Sequence, residues 1–557
     1  MKTSGTLQGR ERVSTPSERM RRGVVAAAAA LCALYVALAV IGIARAHTPV
    51  PLWDMWDSYI GFFLRVLDGD PAAWLAQHNE HRIVLARALF WLDLTLFGGA
   101  GWFLLLVNFL LAGALSILLV RFLRDEIKAD GAMFVVLALT IVALSYSWIQ
   151  RENLVWGFQS PFFLTLIFPL LAFRLLARSA ETGSRLYFAG ALGCGVAAAG
   201  ALANGVLALP LMVALGLALR VSPFRIALIA AAAIVTAWLY FRNYATPPHH
   251  SSLVASIVSD PLGFIGFSLA YIGQPLARAF RIGEPLFAAA GGLLLCVATI
   301  GAVGNDRRNR RLPPHRAALY AFLLYVALAA AATAGGRLVF GLEAANASRY
   351  TTPALMAWLA VLVLHARSLA EMFERRPRIA ASVPLGALVL LSLSQFAALK
   401  PRAEQQFERR LTALALELGV ADEARVETLY PTMSDVLEIA QRASLRDLSV
   451  FGAADIEGAR EMIGKPPPPG CVRGDAAVLL DAAEPIPGEA KFVRMSGRTA
   501  ASTRRSTRVV FLDDDGDVAG VALVASRVDA DQRSVRGYAR ADAPIVATAV
   551  CSKSGRP

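Results

Sequence analysis

Charge is scarce in this chain. Only 17% of its 557 residues are Asp, Glu, Lys or Arg, while 56% are hydrophobic; a soluble globular enzyme carries about a quarter charged residues. That shortage excludes a protein that lives wholly in water and makes lipid the solvent for most of the chain. Acid is scarcer than base, 42 against 55 residues, and the apolar runs hold almost no carboxylate, which counts against a transporter coupled to protons or ions. No P-loop or dinucleotide-type glycine motif stands between a strand and a helix, so nothing points to a nucleotide. The net charge of +13 does not indicate nucleic acid, whose binders carry a basic stripe on a wet face. Here the arginines stand in short clusters between apolar runs, the positive-inside pattern of membrane proteins.

What is present is a series of runs long enough to cross a bilayer. The first, 24–44, follows the basic segment Arg10, Arg12, Arg19, Arg21 and Arg22. Ala44-Arg45-Ala46 imitates a signal-peptidase site, but the run exceeds the roughly 7 to 15 residues of a signal peptide and is read as an uncleaved anchor. Further runs lie at 102–120, 132–149, 161–177, 186–203, 205–219, 224–241, 285–303, 317–334, 351–366 and 379–398. The stretch 262–280, with Gly263, Gly266, Gly273 and Pro275, reads as an interfacial or re-entrant helix. Threading about eleven transmembrane helices from an inside N-terminus puts Arg121, Arg124 and Lys128, then Arg174, Arg178 and Arg185, Arg220 and Arg225, Arg307 to Arg316, and Arg367 to Arg378 in cytoplasmic loops. Residues 1–23 are then a cytoplasmic basic tail and 24–400 a helical membrane domain with an outer loop at 45–101. The C-terminal part, an α+β domain, falls outside.

Within that part, 401–465 has helical spacing with many charges, and Pro466 to Pro469 forms a stiff linker. The segment 466–557 is β-rich: 508–512 and 518–525 read as strands joined by Asp513-Asp514-Asp515-Gly516-Asp517. That acidic turn lacks the later glutamate of a calcium loop and is read as a solvated hairpin. Cys32, Cys194 and Cys296 lie in apolar stretches as packing residues, whereas Cys471 and Cys551 can pair in an oxidising compartment or remain two free thiols. A small β-sandwich closed by that pair is the expected fold.

Four polar clusters fall on the outer side. Trp53-Asp54-Met55-Trp56-Asp57 places Asp54 and Asp57 three apart, on one face of a helical turn. Such a carboxylate suits a general base or a ligand for a divalent cation; alternatively the acids are ordinary interfacial residues and the tryptophans a membrane belt. His78-Asn79-Glu80-His81-Arg82 resembles a zinc set without its order or third ligand, so Glu80 and Arg82 are read as substrate-binding or loop-pairing groups and the histidines as hydrogen-bond donors. Gln150-Arg151-Glu152-Asn153 precedes Trp156, Phe158 and Gln159, aromatics that stack on a sugar or anchor in headgroups. Ser348-Arg349-Tyr350 follows Glu343, and an arginine at that depth needs an anionic partner: a lipid phosphate, a substrate phosphate or Glu343 itself. His249 and His250 read as exposed loop polars. One outside cavity shared by the four clusters is the economical expectation.

An acidic pair after the first span, many further spans and an outer C-terminal domain resemble the GT-C superfamily of membrane glycosyltransferases. Asp54 and Asp57 stand at that superfamily's acidic position with D-x-x-D rather than D-x-D spacing. The stretches W-D-x-W-D, H-N-E-H-R, R-E-N-L-V-W-G-F-Q and S-R-Y also look like those of bacterial multi-pass membrane proteins grouped with these transferases. The resemblance implies a bacterial inner-membrane enzyme that moves a sugar, with inversion, from a polyprenyl-phosphate donor to a glycan, lipid or protein acceptor. Asp54 or Asp57 would be the base, and Arg349, with Arg151 or Arg82, the charge beside the leaving phosphate. The rival readings are a flippase or transporter of lipid-linked saccharide and a non-catalytic envelope-assembly protein.

Overall fold

The computed structural model describes residues 16–129, 131–247, 252–309, 312–473, 478–500, 503, 508–529 and 532–551. Arg10, Arg12, His249, His250, Arg310 and Arg311 lie outside them.

In hydrocarbon a backbone must satisfy its own hydrogen bonds, so apolar runs become helices. Among the described residues, eight helices are long and apolar enough to cross a membrane, or up to ten if each of two bent pairs is one span. These helices mark the chain as a membrane protein. The expected runs 186–203 and 205–219 form shorter helices, Arg185–Ala199 and Ala203–Ala218. At ~1.5 Å per residue the first reaches only ~22 Å, less than a ~30 Å hydrocarbon core. The stretch 262–280 belongs to the pair Leu253–Ser259 and Pro261–Phe280, bent by 116°. Ser256 donates to the Gly335 carbonyl at 2.8 Å and Gln274 to that of Ala345, so both arms meet the same end of the bundle.

The first span runs unbroken as the helix Pro16–Ala46 and packs against the last. Tyr35 donates to the Leu388 carbonyl at 2.7 Å, while the fully buried Gln395 donates to the Tyr35 carbonyl (2.9 Å) and accepts the Trp148 N–H (2.7 Å). At the opposite end of the bundle, Arg316 reaches Glu126 at 3.1 Å and Asp306 at 2.8 Å, with His315 2.9 Å from Glu126. Glu126 is buried, and its contacts with Arg316 and His315 take the place of the water it has lost.

The segment after the last span is not a separate arm. Its helix Met433–Ser444 and the turn beyond share one apolar core with the loop after the first span: Trp56, Tyr59 and Phe62 pack with Val436, Ala440 and Phe451. Backbone bonds join the two, from Trp53 N–H to Leu429 O (2.7 Å) and from Ser449 N–H to Gly98 O (2.9 Å).

Among the described residues seven strands follow: β1 (Cys471–Arg473), β2 (Val478–Ile486), β3 (Glu489–Ala500), β4 (Arg508–Leu512), β5 (Val518–Asp529), β6 (Gln532–Arg540) and β7 (Ala547–Cys551). They form one antiparallel sheet in the order β1-β7-β4-β5-β6-β3-β2. This corrects the expected sandwich of two facing sheets, because the helix Ala403–Leu418 supplies the missing layer. Its Phe407, Leu411 and Leu414 cover Val510, Val521 and Tyr538. Buried Asp422 accepts from Tyr538 Oη (2.8 Å) and from Arg494 (2.5 and 2.8 Å), which ties helix to sheet. Cys471 and Cys551 stand opposite each other on β1 and β7 and are joined in a disulfide. The acidic turn is the β4–β5 hairpin, where Asp513 accepts the Asp517 N–H at 2.9 Å and Gly516 takes φ +81°.

Candidate functional site

The loop after the first span begins with backbone that few residues adopt. Trp53 has φ +49° and a half-exposed indole (52%). Such strain persists only where surrounding contacts enforce it, and the Leu429 carbonyl does so. Next comes a single π-helical turn, Trp56–Gly61, a distortion that often marks functional sites. It buries Trp56 completely and leaves the carboxylates of Asp54 and Asp57 40% and 61% exposed.

Both carboxylates turn to one imidazole. His78, 7% exposed, lies with Nδ1 3.3 Å from Asp57 Oδ2 and Nε2 3.7 Å from Asp54 Oδ1. Burial alone would pull this histidine down, but the hydrogen bonds and charges of the two acids outweigh it and raise its pKa to about 9. The protonated ring in turn holds Asp57 below the ordinary carboxylate range, against the opposing pull of burial. Ser58 adds a hydrogen bond to Asp57 at 3.1 Å.

A tight turn aims the next residues. His78 and His81 exchange both backbone N–H···O bonds at 2.8 Å, with Asn79 at φ +47°, a conformation asparagine tolerates. Glu80 then meets Arg337 at 2.9 Å. Burial would raise the Glu80 carboxyl, but the His81 imidazolium, which forms only in acid, and the permanent guanidinium of Arg337 hold it at about 2. His81 accepts the Ala203 N–H on Nδ1 at 3.2 Å, which leaves its proton on Nε2, 3.6 Å from Glu80. Burial drops this imidazole to about 4, so it is neutral beside a charged His78.

Asp54, His78, Glu80, His81, Glu152, Trp156, Gln159, Arg349 and Tyr350 line one cavity of about 650 Å³. Arg349 lies 3.8 Å from Glu152, a carboxylate not among the three partners considered from the sequence (a lipid phosphate, a substrate phosphate or Glu343), and its guanidinium stands over the Tyr350 ring at 5.2 Å. Tyr350 stacks on Tyr271 at 4.8 Å. Gln159 is fully buried, and neither its amide nitrogen nor its amide oxygen has a partner among the described residues; the same holds for Trp156 Nε1. A buried amide with both ends open is costly unless a ligand or water completes it.

Four expected site residues stand elsewhere. Asp57 is turned to His78 rather than to the cavity. Arg82 binds carbonyls of Leu75 (2.5 Å), Tyr240 (2.8 Å) and Arg242 (2.7 Å), so it fastens the loop to the helix Pro223–Phe241. Asn153 is buried, donating to Arg349 O at 2.8 Å and Thr352 Oγ1 at 2.7 Å, and thereby positions the arginine's backbone. Arg151 lines a different cavity. Arg337, Asn204, Tyr244 and Tyr325 line the first cavity without having been singled out in sequence. For Arg337 a signal existed: a lone arginine ending an apolar run on the side poor in arginine.

Among the described residues only Asp513, Asp514 and Asp515, in the β4–β5 hairpin and away from this cavity, bring three donor atoms within 4.8 Å of one another. What the cavity offers is three carboxylates (Asp54, Glu80 and Glu152), two guanidiniums each beside one of them (Arg337 and Arg349), aromatic faces and open amide groups, a set suited to a polyhydroxylated ligand. The chain matches no protein-family model, no curated protein and no solved structure.

Proposed function

We propose that the chain is a GT-C-type membrane glycosyltransferase of the bacterial inner membrane. It would have eleven spans, a cytoplasmic N-terminus and an outer C-terminal domain, and would transfer a sugar from polyprenyl phosphate to an extracytoplasmic acceptor. The observation that carries the reading is that Asp54 and Arg349, nearly 300 residues apart, line the same cavity as the unpartnered amide of Gln159. Asp54 takes the acceptor proton as the acceptor oxygen or nitrogen bonds to the anomeric carbon from the face opposite the donor oxygen. The bond from that carbon to the phosphate oxygen breaks, and the lipid phosphate leaves with the electron pair towards Arg349 and Arg337. Asp57 acts as a positioning residue: it anchors His78, whose other nitrogen faces Asp54. Trp156 and Gln159 supply a face and hydrogen bonds for the sugar.

The test is glycan transfer by full-length protein in proteoliposomes, with lipid-linked sugars extracted from the native envelope as donors. Asp54→Asn should abolish transfer and retain the thermal transition, whereas Asp57→Asn should leave a weakened activity. Unchanged transfer in Asp54→Asn ends the proposal and favours a flippase or an assembly protein. Comparing envelope glycans of a deletion strain with its parent names the product.

A further inference from the structure

A second cavity, of about 660 Å³, lies on the far side of the same two turns. Arg151 and Ser348 line it, while their chain neighbours Glu152 and Arg349 line the first. Its other cations are Arg278, Arg281 and Lys400. None of the four makes an ion pair with a carboxylate among the described residues.

The two central guanidiniums are held by neutral groups. Arg278 donates to Asn346 O at 2.7 Å and Gln274 Oε1 at 3.3 Å; Arg281 donates to Leu393 O at 2.9 Å. These bonds orient both side chains, leave further N–H donors over and neutralise nothing. Arg281 ends the helix Pro261–Phe280 in the left-handed conformation, so both cations sit at a helix C-terminus, where positive charge is favoured. The field extends beyond the cavity. Burial, and then the charge of Arg151, hold Arg402 below its ordinary range, and Arg409 is held down by burial and by Arg402.

Among the described residues these four cations share one hole without an ion pair, Arg278 feeling Glu152 only from beyond ion-pair distance and being repelled by Arg151, and the complement is an anion with several acceptor oxygens. Beside the polar groups of Gln274, Asn346 and Ser394, the wall has an apolar side from Ile149, Ile282, Leu393 and Phe396, at the ends of membrane helices. A soluble anion has no use for that wall, whereas an acyl or prenyl chain does. We propose that this second cavity binds the phosphate of an anionic lipid headgroup, with the lipid chain lying along the apolar side. The assignment does not depend on the transferase reading.

The experiment reconstitutes the full chain into nanodiscs of phosphatidylcholine doped with phosphatidylglycerol, re-extracts it and counts retained lipid by native mass spectrometry. Wild-type protein should retain phosphatidylglycerol over phosphatidylcholine by about tenfold or more. Arg278→Gln combined with Lys400→Gln should remove that preference. Arg151→Gln, a change at an exposed turn residue, should weaken it several-fold even if the double variant fails to fold. Arg349→Gln, on the first cavity, should leave it intact. The proposal is overturned by equal retention of the two lipids, by wild-type retention in Arg151→Gln and the double variant, or by loss in Arg349→Gln alone. Displacement of phosphatidylglycerol by an equal concentration of inorganic phosphate overturns the lipid assignment in favour of a free phosphate.

Discussion

Replacing His78 by Gln should remove a specific part of the protein's pH dependence. The two carboxylates raise the imidazole from about 6.5 to about 9, which at ~1.4 kcal/mol per pH unit corresponds to ~3 kcal/mol of linkage. Both acids are substantially exposed (40% and 61%), and solvent screening reduces this to about 2 kcal/mol. Because the folded pKa lies above the unfolded one, the contribution is complete below pH ~6.5 and vanishes as pH climbs through ~9. The lowered Asp57 is the same pair seen from its other side: it acts above the ordinary carboxylate pKa, fades only as acid protonates it and adds nothing further. The assay is thermal unfolding of purified protein in detergent, wild type against His78→Gln, across pH 5 to 10. The two curves should be about 2 kcal/mol apart at the acid end of that window and converge towards its alkaline end. Curves that run parallel from pH ~6.5 to ~9 would refute the arrangement of one imidazolium between two acids.

Gln159→Leu should leave stability unchanged or raise it by up to ~1 kcal/mol, since it removes two unpartnered buried groups, while donor binding falls at least about tenfold; isothermal titration with a lipid-linked sugar measures this. Arg337→Gln removes the guanidinium beside the partly buried Glu80 and should cost about 1–3 kcal/mol, read as a lower melting temperature that Glu80→Gln in the same chain partly restores. Cys471→Ser opens a disulfide across a sequence separation of 80 and should destabilise the sheet by about 2–4 kcal/mol; limited proteolysis would cut within 466–557 and spare the helical bundle. Arg82→Ala should lower the melting temperature through lost loop anchoring, and donor affinity of the folded fraction should stay at the wild-type value.

Much of the architecture was legible because its cause is local. An apolar run forms a helix whatever surrounds it, and the helices Trp102–Glu126, Pro285–Arg308 and Pro314–Phe340 stand where hydropathy places them. Cys471 and Cys551 could be paired from their shared compartment. Direction within a turn was not legible. Arg151 and Glu152 are adjacent, yet they line opposite cavities, because a short helical turn rotates successive side chains by ~100°. For the same reason Arg349 meets Glu152 and not the nearer-in-sequence Glu343. The single sheet was hidden because its second layer is the helix Ala403–Leu418, and a strand's inward residues read alike against a helix or another sheet. Arg82 and Asn153 carry the polarity of site residues but serve backbone carbonyls, a distinction only the fold reveals.

The core shared by Trp56 and Tyr59 with Val436 and Phe451 joins segments almost 400 positions apart. During biosynthesis the early loop emerges long before the segment that completes its core, and the peptide at Trp53 has no Leu429 carbonyl to grip until every span has been synthesised. Assembly of the pocket is thereby deferred to the last stage of synthesis, so a nascent chain halted after its final membrane helix would be inserted yet inert.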